Sequence, residues 1–137
     1  MRMILGGVLD RHPGLQMIVG HWGELVLFYL DHVESMRTLG LKLDRPFIDY
    51  FRQNLWVTPS GLLSDRCFRW GLEVMGPERL LYSTDYPFTY GMGYPVMDTR
   101  SGAARAYLDR APLGSEQKAA IGSGNWERLT GHLGAAA

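Results

Sequence analysis

Two side chains of the types that bind metals or exchange protons, His21 and Asp85, each follow a short apolar run. Residues 79–87, RLLYSTDYP, lead from apolar positions into a carboxylate, an aromatic ring and a proline. They predict a buried strand that delivers Asp85 at its C-terminal end, and Pro87 ends that strand because proline has no N–H to donate. A structural role, in which Asp85 only caps a turn or the next helix, is equally compatible with this stretch.

His21 also follows a predicted strand, earlier in the chain. Residues 15–20, LQMIVG, form an apolar run between glycines and predict a strand buried on both faces, as in a parallel sheet. Residues 55–58 predict another strand, which ends before Pro59 and Ser60. Parallel strands end at one edge of their sheet, so His21, Ser60 and Asp85 should lie together there. A histidine and a carboxylate at such an edge, with Glu24 nearby, could bind a divalent metal or perform acid/base chemistry.

Helix-length segments separate the three predicted strands. Helices are expected at 2–11, 25–39, 65–74, 99–108 and 115–121, with a helix or turn at 45–51, a turn at 122–125 and a last helical turn at 126–129. Residues 88–97, rich in Gly, Tyr and Pro, predict a loop long enough to cover an active site. The alternation predicts right-handed parallel βαβ units, an α/β fold with no linker dividing it.

The other titratable candidates have structural explanations. His12 is expected to be a surface residue at a helix end, and His32 should lie on the polar side of helix 25–39. Cys67 is interpreted as a small core residue rather than a nucleophile, because no basic residue at helical spacing would activate it.

Composition narrows the class of protein. The 137 residues suffice for one domain, and 46% of them are hydrophobic, as in a globular protein. Fourteen basic residues balance fourteen acidic ones, so nothing favours nucleic acid or an anionic membrane as a partner. A single cysteine allows no internal disulfide and makes a reducing, cytoplasmic setting the default expectation. No apolar run approaches the length of a membrane-spanning helix, and the N-terminal residues predict a helix rather than a signal peptide.

Five segments carry a family resemblance: GVLDRHP at 7–13, IVGHWGE at 18–24, DYFRQNLWVT at 49–58, LLYSTDYPF at 80–88 and GNWERL at 124–129. In this order they resemble the C-terminal part of the amidohydrolase-related proteins. The resemblance is to the branch with γ-resorcylate, dihydroxybenzoate, carboxyvanillate and aminocarboxymuconate-semialdehyde decarboxylases. It implies the C-terminal part of a distorted (β/α)8 TIM-like barrel, with three parallel strands, and thus one partial domain over residues 1–137.

The same resemblance implies roles for three residues. Asp85 matches the metal-binding aspartate after the last strand, which in the decarboxylases handles a proton at the substrate carbon. His21 matches the active-site histidine after the sixth strand, and Glu24 would orient it. The implied cofactor is a divalent metal, with zinc expected first and manganese or magnesium as alternatives. The implied partner is a small carboxylic acid substrate.

Two departures from the family pattern shape the functional hypotheses. Tyr29-Leu30-Asp31 stands where an arginine usually precedes the Leu-Asp pair. The metal ligands that the family takes from its first and fifth strands are not in this chain. We therefore expect an isolated chain to be catalytically impaired unless a complementary N-terminal half-barrel supplies the rest.

Three hypotheses follow. The first is a metal-dependent lyase that decarboxylates a small aromatic or unsaturated acid, and the second is a metal-dependent hydrolase of the same superfamily. The third is a non-catalytic barrel fragment or oligomerisation module. Exposed edges and an open inner face would favour a homo-oligomer or a half-barrel partner.

Overall fold

The computed structural model describes residues 1–40, 42–88 and 103–131 as helices around a small parallel sheet. The helices are α1 (Arg2–Leu5), α2 (Val8–Arg11), α3 (Leu30–Ser35), α4 (Phe47–Asn54), α5 (Asp65–Met75), α6 (Ala103–Asp109), α7 (Ser115–Ala119) and α8 (Asn125–Thr130), and the strands are β1 (Met17–Val19) and β2 (Leu55–Val57). Single 3₁₀ turns lie at His21–Gly23, Val26–Tyr29, Met36–Leu39 and Pro77–Arg79, and a π-helical turn, Ala120–Gly124, joins α7 to α8.

The sheet is parallel, and β2 is its central member. β1 pairs with β2 in the register Met17 to Leu55 and Val19 to Val57. On the other side of β2, Leu80 forms a parallel bridge with Val57, and the Leu81 N–H donates to the Val57 carbonyl at 2.9 Å. Parallel pairing is confirmed for all three segments. The third contributes one bridge rather than the full strand that the sequence predicted.

Burial of the strands differs from the expectation for β1. All three residues of β2 are buried, whereas Ile18 in the middle of β1 is 48% exposed. The prediction that β1 is buried on both faces is therefore wrong. β1 has a strand partner on one side only, and the face that carries Ile18 is only partly covered by the described residues.

Several helix boundaries also depart from the sequence prediction. The helix expected at 2–11 is divided into α1 and α2 because Gly7 adopts a φ of 67°, outside the helical range. The helix expected at 25–39 is α-helical only over Leu30–Ser35 and 3₁₀ on both sides. In contrast, α5 begins as predicted, with the Ser64 hydroxyl accepting from the Cys67 N–H at 3.4 Å.

The remaining segments fit the expectations in part. The short element expected at 45–51 is the helix α4, which starts after Pro46 and continues to Asn54. The turn predicted at 122–125 is part of a continuous π-helical turn over Ala120–Gly124, so α8 starts at Asn125. Within the helix expected at 99–108, residues 99–102 lie outside the described residues, as do residues 89–97 of the expected loop.

The hydrophobic core is one cluster of residues from the sheet and most of the helices, and α4 contributes three of its most buried large side chains. Phe47, Tyr50 and Phe51 of this helix are almost fully buried, and they share the core with Val57 and Leu80 from the sheet. Core-facing positions of α4 recur at the three- and four-residue spacing of an amphipathic helix. Side chains of α4 and buried residues of the sheet thus belong to the same packed cluster.

The opposite side of β2 carries a polar cluster around Trp56. The guanidinium groups of Arg79 and Arg128 lie 4.7 and 5.4 Å from the indole ring centre, at cation–π distance. The Gln16 side-chain oxygen accepts from both Trp56 Nε1 and Arg79 Nη1, at 2.9 and 3.0 Å. Burial lowers the pKa of Arg79, and the charge of Arg128 lowers it further.

Tyr82 connects the third sheet segment to α6. Its hydroxyl donates to the Ala104 carbonyl, and burial raises the pKa of Tyr82 to about 12, with a smaller contribution from Asp109.

No helix within the described ranges has both the length and the apolar character that crossing a lipid bilayer requires.

Asn125, which begins α8, supports the start of the third sheet segment. It is 1% exposed, and its amide nitrogen donates to the carbonyls of Pro77 and Leu80 at 2.8 and 2.7 Å. Both carbonyls would be left without this donor after truncation of the side chain. The contact therefore anchors the segment that ends at Asp85.

We expect Asn125→Ala to lower the free energy of unfolding by about 2–3 kcal/mol, because two carbonyl groups lose a buried donor. Urea unfolding followed by circular dichroism would measure this. Thr130→Ala, one turn further along α8, removes only a bond to the Trp126 carbonyl and should cost less than about 0.5 kcal/mol. Equal losses in the two variants would contradict an anchoring role for Asn125.

Candidate active site at the strand ends

His21 lies in a tight turn directly after β1. The turn is held by Trp22, whose N–H donates to the Thr58 carbonyl at 2.9 Å and whose indole nitrogen donates to the Leu62 carbonyl at 2.7 Å. The buried indole ring also packs edge-on against Phe68, with 5.7 Å between ring centres. Trp22 is buried, whereas 40% of the side chain of the preceding residue, His21, is exposed.

Asp85 ends the third sheet segment at the same edge. Its backbone carbonyl accepts from the Phe88 N–H at 2.8 Å, which starts a turn away from the sheet. Its side chain is 31% exposed. Among the hydrogen bonds of the described residues, none runs from a backbone N–H to the Asp85 carboxylate, so the capping role that the sequence left open finds no support there.

Backbone strain marks these loops. Five non-glycine residues in the described ranges have a positive φ, and all of them follow a strand or the third sheet segment: His21, Trp22, Glu24, Ser60 and Asp85. Each such conformation costs on the order of 1–3 kcal/mol and persists only where surrounding contacts hold it. Residues in this state are enriched at active sites and ligand-binding sites, which makes the three loops the best candidate site.

The structure brings the three predicted site residues together. His21 Nε2 lies 3.9 Å from Asp85 Oδ2, and His21 Nδ1 lies 3.2 Å from Glu24 Oε1. The first distance is too long for a direct hydrogen bond but is within ion-pair range of a protonated imidazole. An imidazole between two carboxylates can accept, hold and donate a proton. The Glu24 side chain is 78% exposed, so its effect on His21 is weakened by solvent.

The donor set fits one part of a metal site. Carboxylate oxygen and imidazole nitrogen both bind divalent metals, and one of each, from Asp85 and His21, lie 3.9 Å apart here. The described residues contain no group of three His, Cys, Asp or Glu side chains that could hold a metal ion. Any further ligands would have to come from outside these ranges.

The other sequence candidates lie away from this edge. His12, at the end of α2, and His32, on α3, are both exposed. Cys67 is half-buried on α5 and is a free thiol. Sequence reasoning placed Ser60 at the edge but missed Thr58 and Ser83, whose hydroxyl groups both contact Ser60. The only signal for them was the position of a hydroxyl residue at each strand end.

At Gly20 the loop after β1 packs closely against the loop after β2. A Cβ atom at this position would lie 2.8 Å from Ser60 Oγ, shorter than van der Waals contact. The φ of Gly20 is −77°, which any residue adopts, so the requirement for glycine here is purely one of space.

We therefore expect Gly20→Ala to destabilise the protein by about 1–3 kcal/mol through overpacking. Ser60→Gly removes the clashing atom and suits the φ of 43° at that position. A double-mutant cycle measured by urea unfolding should show that Gly20→Ala costs much less when Ser60 is already glycine. Strict additivity of the two changes would show that the close approach does not exist in solution.

Comparison with known proteins identifies a family and several relatives for this chain. The model of the family described as amidohydrolase matches residues 1–131. The γ-resorcylate decarboxylase of Rhodococcus jostii is 34% identical over 93 residues, which are 64% of this chain and 28% of the relative. The chain thus spans about a quarter of the length of that relative.

Two solved structures show the same relationship. The 5-carboxyvanillate decarboxylase of Sphingomonas paucimobilis superposes with a TM-score of 0.80 and 32% identity, over 93% of this chain and 37% of that one. A dihydroxybenzoic acid decarboxylase of Polaromonas, solved with bound manganese and the inhibitor 2-nitroresorcinol, has a TM-score of 0.75 and 26% identity over 93% and 37%. The described fold therefore matches a little over a third of each of these decarboxylases.

Proposed function

We propose a function on the premise that the chain belongs to the amidohydrolase family, whose model matches nearly all of it. The proposed function is that of the C-terminal part of a metal-dependent decarboxylase that acts on a small aromatic or unsaturated carboxylic acid. One observation carries it: His21 and Asp85, from separate strand ends, lie 3.9 Å apart in a chain whose fold matches aromatic acid decarboxylases. The short parallel sheet would then be the C-terminal part of a (β/α)8 barrel.

The reaction requires a proton at the carbon that bears the carboxylate. The carbon–carbon bond then breaks, its electron pair returns to the substrate ring, and carbon dioxide leaves. In the proposed roles Asp85 handles this proton, and His21 donates a hydrogen bond and exchanges a proton with Asp85 or the substrate. Glu24, beside Nδ1 of His21, keeps the imidazole oriented.

Asp85 is also the proposed metal ligand. A divalent cation would supply positive charge that stabilises negative charge developing on the substrate. Zinc was the first expectation from the sequence, and this preference stays a prediction. A similar decarboxylase was solved with manganese, so Mn²⁺ is the first cation to test.

A non-catalytic scaffold is the second candidate, because the described residues supply no cluster of three metal-binding side chains. Hydrolysis by the same site is an outcome of the product analysis below. A homo-oligomer, a complementary half-barrel, a single partial domain and a cytoplasmic location stay predictions.

We expect Asp85→Asn to weaken Mn²⁺ binding by about 100-fold or more, because the variant removes the charged oxygen ligand. Titration calorimetry or the electron paramagnetic resonance signal of free Mn²⁺ would measure this on the full-length protein that carries this sequence. Asp65→Asn is the matched control, since Asp65 is an exposed residue of α5 whose ion pair among the described residues is with Arg110, at 3.4 Å. An unchanged affinity of Asp85→Asn for Mn²⁺ would favour the non-catalytic scaffold over the decarboxylase.

His21→Gln should lower the rate of carbon dioxide release from a hydroxybenzoic acid by about 10²–10⁴-fold, the usual contribution of a general acid or base. His32→Gln changes the same residue type on an exposed helix face and should leave the rate unchanged. Release of a hydrolysis product without carbon dioxide would favour the hydrolase instead. Equal effects of the two substitutions would remove His21 from the mechanism.

A further inference from the structure

The loop that follows β2 is bonded to the turn that carries His21. The Thr58 N–H donates to the Val19 carbonyl at 3.0 Å, and the Thr58 carbonyl accepts from the Trp22 N–H at 2.9 Å. Ser60 Oγ also fills the space beside Gly20. A displacement of this loop would therefore move the residues on both sides of His21.

The same loop is bonded to the segment that carries Asp85. The Ser60 N–H donates to the Ser83 hydroxyl at 3.1 Å, and the Gly61 N–H approaches the Ser83 carbonyl at 3.5 Å. The Thr58 and Ser60 hydroxyls lie 2.8 Å apart, which fixes the Ser60 side chain within its own loop. Ser83 lies two residues before Asp85, so a shift of Ser83 would also shift the Asp85 carboxylate at the edge of the sheet.

Ser60 holds this arrangement at a conformational cost. Its φ of 43° lies in the left-handed region, which a serine adopts only where contacts compensate. The bond from its N–H to Ser83 is such a contact. Without an acceptor at Ser83, the loop loses the bond that favours this conformation, and the neighbouring strand end loses its side-chain link to the loop.

We propose that the Ser60–Ser83 hydrogen bond is a positioning contact that sets the separation between the His21 imidazole and the Asp85 carboxylate. Ser60 and Ser83 act through the loops they join rather than on the substrate. The expected effect on turnover rests on the proposed function, because that reaction needs this separation. The expected effect on the structure does not depend on any activity.

The test compares Ser83→Ala with Ser83→Thr, which keeps the hydroxyl, and with Ser35→Ala. Ser35 is an exposed serine whose hydroxyl donates to the His32 carbonyl at 2.6 Å, away from the strand ends. Hydrogen exchange followed by NMR should show the Ser60 amide exchanging about tenfold faster in Ser83→Ala, the effect of losing one hydrogen bond. It should stay near the wild-type rate in Ser83→Thr and Ser35→Ala. The amide of Leu81, in the core, reports whether the fold itself has loosened.

Crystal structures of the variants provide the second measurement. The His21 Nε2 to Asp85 Oδ2 distance should increase beyond 3.9 Å in Ser83→Ala and return in Ser83→Thr. An unchanged Ser60 exchange rate, or an unchanged separation in Ser83→Ala, would overturn the proposal. If Ser83→Ala fails to fold, Thr58→Val, which removes the hydroxyl beside Ser60 at nearly constant volume, should produce the same two changes to a smaller extent.

Turnover separates this proposal from the proposed function. In an active full-length protein, Ser83→Ala should lower kcat about tenfold or more while KM changes less than twofold, because misplacement affects chemistry more than binding. A displaced Asp85 with unaltered kcat in an active enzyme would overturn the positioning role. A wild-type protein that decarboxylates no aromatic acid, but shows both structural changes, would refute the proposed function and support the positioning contact.

Discussion

Parallel pairing on both sides of β2 is the constraint on which the candidate site depends. Val57 pairs with Val19 on one side and with Leu80 on the other. Since the segments run in the same direction, the chain leaves each of them at the same edge, and the residues that follow must share that space. The buried side chains of α4 support β2 from the core side. The meeting of His21 and Asp85 is thus a consequence of backbone pairing rather than of any direct bond between them.

The conformations of the loops show how the edge is held. His21, Glu24 and Asp85 all adopt left-handed backbone geometry, which exposed loops without tertiary contacts would not maintain. Trp22 supplies the strongest restraint on the first loop, because its backbone and indole nitrogens both donate to carbonyls in the segment after β2. The buried Trp22 thus anchors the turn that holds the partly exposed side chain of His21 at the surface.

The sequence was sufficient to predict that His21 and Asp85 lie at one edge of a parallel sheet, whereas their roles stay predictions. The apolar run before His21 ends close to the end of β1, and the parallel arrangement followed from the helix-length connections. The run before Asp85 contributes one parallel bridge, at Leu80, instead of a full strand. The exposure of Ile18 could not be predicted, because an apolar run has the same composition whether one face or both are covered. The 3₁₀ turns flanking α3 were missed, since apolar periodicity near 3.6 residues does not distinguish a regular α-helix from a sequence of short turns. The positive φ of Trp22 was equally hidden, because a bulky aromatic residue rarely adopts that conformation.

The cluster around Trp56 has a consequence for how the protein responds to its medium. Arg79 and Arg128 approach the same indole ring, and neither forms an ion pair within the described residues. Two like charges held this close repel each other, and dissolved salt screens that repulsion. Ordinary surface ion pairs weaken as ionic strength rises, whereas the cluster around Trp56 becomes more favourable because the repulsion between its two arginines is reduced. Added salt should therefore stabilise the contacts around Trp56, an effect that the balanced net charge of the chain does not predict.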